Sequence, residues 1–469
     1  MIAVVIPVCF LLLVVLWKKF PLIGGNINAA LLLTGVLTLL LGAVSDPADW
    51  IAAWIDGLNR MAWIMALSIT GGIFAEISVQ LGTVDTIIGA LTAKFRTHPR
   101  ILVVCIIATL VLAGSLLGDA IAASTVVGIL TFGILVSMNL ENEKIAAIVM
   151  MGASVGSIMP PMTQALALSS SLIGTDPDPV ISIGYKTVFI CFIVVAVYGA
   201  MILIKKDNVP GANKEIEIKF ESETAGDILR KNWKSLIPLC FLIVVIFLRT
   251  LKIVDVGPVI LKNINFLKIS DEKTVNMYEL LSGISIVSGL TNGIVLSIIC
   301  AIAFSFLFRK VRANSGQIFR QSLTNVQRTL ILQICCSFML GSFYKSGAID
   351  TVGAFAQSLN GNVLKLGGTG AMCLLGMLTG SQSTTQNVVF TFFGPALVAF
   401  GVDPTRAAVA GAHLAAAGQG MPPADLTTFV ICGMISSQFG KKVDPVKSMF
   451  YSLPMCIVFL ITGLVFLYM

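Results

Sequence analysis

Two stretches of this chain carry the same break. Gly156-x-x-Met159-Pro160-Pro161 recurs 262 residues later as Gly418-x-x-Met421-Pro422-Pro423, and the sequence holds no other Pro-Pro dipeptide. The same offset carries Gly114 onto Gly376 and Gly118 onto Gly380. Upstream, Gly82-x-x-Asp85-Thr86 recurs as Gly347-x-x-Asp350-Thr351 at an offset of 265, so a three-residue indel separates the two alignments. Both breaks interrupt apolar segments. At bilayer depth, non-helical backbone is tolerated only where it is buried in protein or lines a cavity. Gly- and Pro-interrupted apolar segments in matching positions of two halves point to the binding site of a secondary transporter.

Composition places the breaks in a membrane. Of 469 residues, 56% are hydrophobic and only 12% are charged, against about 25% charged in soluble domains. Apolar runs at residues 2–17, 28–44, 61–79, 101–111, 187–204, 235–248, 293–308 and 448–469 include several near the roughly 20-residue span length. Residues 1–17 read as a retained first helix, because Lys18 and Lys19 follow the apolar stretch, whereas a secretory signal has its charges ahead of it. All ten cysteines lie in or beside apolar runs, and with only His98 and His413 in the chain they offer no metal-ligand spacing with histidine. They read as core thiols with no disulfide framework. A net charge of +7 reflects basic cytoplasmic loops and not nucleic-acid binding.

Charge also gives direction. Lys18–Lys19, Lys94/Arg96/Arg100, Lys205–Lys206, Arg230/Lys231/Lys234, Arg309/Lys310/Arg312/Arg320 and Lys441–Lys442 mark cytoplasmic loops. Copy one follows the acidic stretch Asp46/Asp49/Asp56, and copy two follows the basic cluster at 309–320. The basic loop at 94–100 corresponds to a stretch near Asn360 holding only Lys365. Copy one ends at Asp176 and Asp178, copy two at Lys441 and Lys442. All three comparisons reverse sign, so the copies are expected to face opposite ways.

The expected fold is therefore an all-α polytopic membrane protein with two inverted-topology repeats, each a re-entrant hairpin followed by a Pro-Pro-broken helix, plus scaffold helices. N-terminal scaffold helices fill 1–60. Repeat 1 spans 61–183, with a hairpin at 101–137 and a broken helix at 145–174. Scaffold helices with polar loops at 207–234 and 251–276 occupy 184–328. Repeat 2 spans 329–446, with a hairpin at 366–400 and a broken helix at 407–436, and residues 447–469 form a last helix. Both termini are expected outside the cytoplasm, in the inner (cell) membrane.

The breaks carry the chemistry. A half-helix over residues 163–174 is about 18 Å long at ~1.5 Å per residue, so its N-terminus reaches the membrane interior, where free N–H groups and the helix dipole favour an anion. Residues 425–435 offer the same from the other side. Carbonyls freed near Gly156, Ser157, Met159, Gly418 and Met421 suit Na⁺. The hairpin tips add Gly114, Ser115, Gly118, Asp119, Ser124 and Thr125 in copy one. In copy two, residues 379–387 are all polar except Gly380, which is unfavourable in apolar surroundings unless they face a polar cavity. Helix packing by small residues is the competing explanation. Candidate substrate-binding residues are Ser115, Ser124, Thr125, Thr163, Gln382, Ser383, Thr384, Asn387, Gln419 and Asp425. Candidate ion-binding residues are Gly114, Gly118, Asp119, Gly156, Ser157, Met159, Gly380, Gly418 and Met421, with Pro160, Pro161, Pro422 and Pro423 as the breaks. Asp425 is equally well placed to cap its half-helix. Glu76 reads either as a proton site or as an interfacial residue, His413 as a packing residue, and Arg406 as the one arginine able to approach a site from its loop. Asp85 and Asp350 read as caps of amphipathic stretches.

Gly152-Ala-Ser-Val-Gly156-Ser-Ile-Met-Pro160-Pro161 resembles the first Pro-Pro signature of the ion transporter superfamily, and is most similar to the large membrane subunit of tripartite ATP-independent periplasmic (TRAP) transporters. Phe400-Gly401-Val402-Asp403-Pro404 and Gly418-Gln-Gly-Met-Pro422-Pro423 agree in copy two. The resemblance implies an elevator mechanism and Na⁺-coupled uptake of a carboxylate such as a C4-dicarboxylate. It also implies a small membrane subunit and an extracytoplasmic solute-binding protein as partners, with Na⁺ as coupling ion and no cofactor. A homo-oligomer is compatible with it. The long polar stretches at 207–234 and 251–276 depart from the compact TRAP pattern. The tip at 380–387 is also similar to lactate and gluconate permeases, which leaves a stand-alone proton-coupled carboxylate permease or exchanger, using Asp119 or Glu76, as the alternative. An intramembrane aspartyl protease is remote, since Gly118-Asp119 has no second matching Asp motif. No metal site beyond Na⁺ and no catalytic residue is expected.

Overall fold

In a computed structural model, the structure describes residues 2–17, 19, 23–95, 97–205, 208, 224–250, 253–270, 273–358, 360–440 and 442–469. Lys18, Arg96, Lys206, Asp271, Glu272, Lys441 and most of the polar stretch 207–234 lie outside them. The described chain is helical apart from connections and one two-stranded antiparallel hairpin, Asn265–Ser270 with Lys273–Asn276. That hairpin and the helix Val256–Asn263 give structure to the stretch 251–276, which the sequence presents as a loop. Among the described residues, four helices are long and apolar enough to cross a membrane: Pro47–Leu81, Pro99–Leu117, Pro177–Leu203 and Pro445–Tyr468. The number rises to six if the bent pairs Ala120–Gly128 with Leu130–Ser137 and Ser315–Gln327 with Thr329–Lys345 are each one span.

Two long helices form the centre, Pro47–Leu81 with 35 residues and Ser315–Lys345 with 31. The first runs through the boundary expected at 60/61, whereas the second is bent by 47° between Gln327 and Thr329, at the boundary expected at 328/329. Their contacts descend one helix as they climb the other. Gly341 lies on Ala53, Gly57 on Ser337, Gln333 donates to the Ser68 hydroxyl at 3.0 Å, and Gly72 lies on Ser322 and Val326. The pair is therefore antiparallel. Ser68 and Gln333 are 265 residues apart, the offset of the upstream repeat. The same offset turns Gly57 into Ser322 and Gly72 into Ser337, so the contacts Gly57–Ser337 and Gly72–Ser322 are one contact with the copies exchanged. The contacts across the pair are thus reciprocal between the two copies.

The hairpins repeat residue for residue. Pro99–Leu117 ends at Gly118, whose φ of 66° is left-handed and whose N–H donates to the Gly114 carbonyl at 2.7 Å. Gly361–Thr379 ends in the same way at Gly380, with φ 61° and a 2.8 Å bond to the Gly376 carbonyl. Each return arm begins with four α-helical residues, Ala120–Ala123 or Gln382–Thr385. A π segment comes next, Ser124–Gly128 or Gln386–Phe390, and then Ile129–Ser137 or Thr391–Ala399. Glycine seats each outgoing arm on its broken helix: a Cβ on Gly114 would lie 2.6 Å from Gly156 Cα, and one on Gly376 would lie 2.6 Å from the Gly418 carbonyl carbon.

The broken helices are Asn142–Ile158 with Gln164–Ile173, and Pro404–Gly420 with Leu426–Phe439. Both Pro-Pro bonds are cis. Each second half packs on the other copy's hairpin: Gln164–Ile173 on the return arm of hairpin two, Leu426–Phe439 on that of hairpin one. Ion pairs mark two ends of the molecule. Lys447 and the Tyr451 hydroxyl reach Glu141 at 3.5 and 3.2 Å, where copy one's broken helix begins. Arg249 reaches Asp178 at 2.6 Å and Asp255 at 3.2 Å, just past where that helix ends.

The helix crossing is the tightest backbone approach in the scaffold: a Cβ on Gly57 would stand 1.8 Å from the Ser337 carbonyl oxygen, and one on Gly341 1.8 Å from that of Ala53. Gly57→Val or Gly341→Val is expected to destabilise the protein by about 1–3 kcal/mol, the usual range for overpacking. Gly433→Ala, which meets nothing within 4 Å, serves as control. Thermal unfolding in detergent checks this, and equal melting temperatures for all three variants would contradict it.

Candidate functional site

Both hairpin tips and both breaks meet at one cavity of about 60 Å³. Tip one contributes Gly118, Asp119, Ala120 and Ile121, and tip two contributes Gly380, Ser381, Gln382, Ser383 and Gln386. Ser157, Gln164 and Ala165 come from the first broken helix, and Gln419, Leu426 and Thr427 from the second. Among the described residues, the wall holds one charged side chain, Asp119, and no lysine, arginine or histidine.

Four helices start at this cavity, and each start leaves backbone N–H groups without intrahelical partners. The sequence caps all four. Asp119 Oδ1 accepts from the Ala122 N–H at 2.7 Å, and the Ser381 hydroxyl from the Thr384 N–H at 3.3 Å. The Thr163 hydroxyl accepts from the Leu166 N–H at 3.3 Å. Asp425 accepts from the Thr427 N–H at 3.3 Å and the Thr428 N–H at 2.8 Å, and also from the Thr428 hydroxyl. The 262-residue offset pairs Asp119 with Ser381 and Thr163 with Asp425. Each repeat thus caps one start with a carboxylate and one with a hydroxyl, and the choice is exchanged between them.

Not every expected residue faces the cavity. Gly118, Asp119, Ser157, Gly380, Gln382, Ser383 and Gln419 do. Ser115 instead donates to the Pro160 carbonyl at 3.0 Å while its own carbonyl accepts from the Met162 N–H, which ties tip one to its break. Ser124 and Thr125 bond back to the carbonyls of Ile121 and Ala122. Asn387 turns to the scaffold, where its Oδ1 accepts from the Cys336 thiol at 2.9 Å. Thr163, Thr384 and Asp425 stand behind the wall as buried caps or helix interior. Gly114, Gly156 and Gly418 serve the close packing of hairpin on helix, and the Gly156 and Gly418 carbonyls accept from the N–H groups of Met159 and Met421.

Other candidates also fall elsewhere. Arg406 is exposed in the first turn of Pro404–Gly420, about 20 Å along the helix from its break at ~1.5 Å per residue, and does not approach the site. Glu76 accepts from Gln80 at 3.1 Å, close to the end of Pro47–Leu81. His413 is buried and bonds the Val409 carbonyl. Asp85 and Asp350 lie in first helical turns.

Gln164 and Thr427 were not marked by polarity or spacing, and Ser381 and Gln386 were marked only as members of the polar stretch 379–387 and not as individual site residues. Gln386 Nε2 donates at 2.7 Å to both the Ala165 carbonyl and the Ser169 hydroxyl, fastening tip two to copy one's half-helix. Its 262-offset counterpart is Ser124, so position alone could have marked it.

This helix order and these paired hairpins are a membrane-transporter fold. The Alcanivorax borkumensis YdaH transporter shares it with a TM-score of 0.63 at 14% identity, covering 94% of this chain and 97% of that one. Neisseria gonorrhoeae MtrF, described as illuminating a class of antimetabolite efflux pumps, gives 0.62 at 14% identity over 98% and 97%. No curated protein matches the sequence. Residues 10–469 match the model of the DctM component of the tripartite ATP-independent periplasmic transporter, and the chain belongs to that family. It is a multi-pass membrane protein of a transporter family, whose system implies a small membrane subunit and a periplasmic binding protein.

Gln386→Leu removes both bonds that hold tip two. The loss of bonds to buried acceptors is expected to cost about 1–3 kcal/mol and to speed amide hydrogen exchange across residues 381–390, while residues 119–128 keep their rate. Unchanged exchange in tip two would show that the clasp does not hold it.

Proposed function

We propose that this protein is the large subunit of a Na⁺-coupled importer of small organic anions, working with a small membrane subunit and an extracytoplasmic binding protein in the inner membrane. The convergence of four capped helix starts on one cavity carries the reading. Two hydroxyl-capped starts present a positive helix end to an anion. Two carboxylate-capped starts suit coupling cations, which transporters of this type hold with unwound backbone near half-helix ends. Asp119 and Ser157 are the cation-facing side chains of copy one, with carbonyls near Met159. Gly380 and the backbone near Met421 do the same in copy two.

The reading includes opposed repeats. The antiparallel crossing at Ser68–Gln333 and the reciprocal docking of each half-helix on the other hairpin support it, as does the reversal of loop charge, which also favours termini outside the cytoplasm. Transport then moves hairpins and broken helices as a body against the scaffold, an elevator. The runner-up, proton coupling, rests on Asp119 being the one acid in the cavity wall.

Uptake of labelled carboxylates into proteoliposomes under an imposed Na⁺ or pH gradient separates the two, run with the chain alone and with small subunit and binding protein supplied. An inward Na⁺ gradient is expected to drive uptake once the partners are present. Asp119→Asn is expected to lower it about tenfold, since hydrogen bonds to charged groups are worth about 1.5–3 kcal/mol. Uptake driven by pH without Na⁺ would replace this reading with the runner-up. Full uptake by the chain alone would remove the need for partners.

A further inference from the structure

On one side of the molecule, two groups of helices face each other across a gap. Pro177–Tyr198 packs on both halves of the first broken helix, on Pro404–Gly420 and on hairpin one's outgoing arm, so it travels with the hairpins and breaks in the proposed transport step. Ile237–Thr250 and Val256–Asn263 pack on Gly293–Ser305, which packs on Pro47–Leu81, so they belong to the scaffold. Two clefts lie between these groups. One, of about 530 Å³, runs from Val111 and Pro160 to Leu242 and Ile246. The other, of about 630 Å³, has Asp176, Asp178 and Tyr185 on the moving side and Arg249, Val254 and Asp255 on the scaffold side. Ser182, Tyr185 and Ile246 line both, so the clefts are continuous. Packing contacts are lost across such a gap, and a polar tie that spans it gains weight.

Arg249 is that tie. From the last turn of Ile237–Thr250, its Nη2 donates across the cleft to Asp178 Oδ2 at 2.6 Å, and its Nε donates within the scaffold to Asp255 Oδ2 at 3.2 Å. Gly293 lies directly under the guanidinium, where any Cβ would collide with Nε. The second oxygen of Asp255, Oδ1, is shielded from solvent and has no hydrogen-bond partner among the described residues. A carboxylate takes an arginine fork with both oxygens, one on each N–H group. Asp255 is thus half of a bidentate pair whose other bond is diverted to Asp178. The Arg249 side chain is only 15% exposed, and a guanidinium so buried is costly without a partner. If the moving body departs, Asp255 remains.

We infer that Arg249 is a two-position latch between the moving body and the scaffold. In the present conformation Nη2 holds the body through Asp178. When the body moves, Nη2 turns to Asp255 Oδ1 and completes the fork inside the scaffold. One bond replaces another, so release strands no charge and the latch opens and closes in each cycle. The inference rests on the proposed motion of hairpins and broken helices against the scaffold.

Asp178→Asn and Asp255→Asn distinguish a latch from a static ion pair. Each leaves Arg249 one carboxylate, so neither strands the guanidinium. The two positions are read by pulsed electron resonance in liposomes, on the full chain with its native cysteines replaced. Spin labels are placed at two exposed sites, Ile190→Cys on the moving body and Leu40→Cys on the scaffold helix Ile27–Leu41. Two label distances are expected, one for each position of the body. Asp178→Asn should shift their ratio away from the present conformation by about twofold to fivefold, the factor that a partly exposed ion pair supports. Asp255→Asn should shift it the opposite way, because an amide nitrogen beside Nη2 cannot accept its bond and Asp178 keeps the arginine. A ratio that stays constant, or moves the same way in both variants, would overturn the latch and leave the moving body standing. A single unchanged distance in all three backgrounds would overturn both.

Discussion

Four helices of this protein begin inside a membrane domain, where water cannot satisfy their first N–H groups. Everything at the site depends on how those groups are answered. An unanswered buried donor costs about 1–3 kcal/mol, so each start needs an acceptor, and the chain supplies Asp119, Thr163, Ser381 and Asp425. Two of these are charged and two are not. Duplication alone would place the same cap at equivalent positions. The sequence instead exchanges carboxylate for hydroxyl at both equivalent pairs, which keeps one acid in each repeat.

The frame depends on glycine at the places where backbones meet. Gly57 and Gly341 let the two longest helices cross in backbone contact, and Gly114–Gly156 and Gly376–Gly418 do the same between hairpin and broken helix. Side chains there would separate the layers and pull the four helix starts apart. The polar ties are unequal. Tip one is held to its own repeat by Ser115, and tip two crosses to the other repeat through Gln386. Both ties end on copy one's broken helix, which makes that helix the common anchor of the site. Copy two's break keeps its polar bonds largely to itself, through Gln419–Thr427 and Asp425–Thr428.

Much of this was legible in the sequence because glycine and proline punctuate it. Gly118, Gly380 and Gly174 take left-handed backbone, and the Pro-Pro pairs end helices, so tips and breaks fell where the repeat put them. The half-helix expected at 163–174 is observed as Gln164–Ile173 between caps at Thr163 and Gly174. The bound at 60/61 was not legible, because Pro47–Leu81 continues through it with no breaking residue, whereas the bound at 328/329 falls on the 47° bend of the helix Ser315–Lys345. Side-chain direction at the tips was not legible either. Gln386 and Asn387 open a π segment and point apart, Gln386 into the wall and Asn387 to Cys336, a difference that polarity alone cannot announce. Ser124 and Thr125, at the equivalent positions, bond back to the carbonyls of Ile121 and Ala122.

Alternating access to the cavity between the four caps is the central claim, and thiol labelling tests it most directly. Ser383→Cys, made in a chain whose ten native cysteines are replaced, would be treated with a membrane-impermeant thiol reagent from one face and then the other. Labelling from both faces is expected in the absence of ligand, with protection on both sides by Na⁺ together with a carboxylate that the uptake assay identifies as substrate. Labelling from one face only, with no protection by ligand, would contradict it.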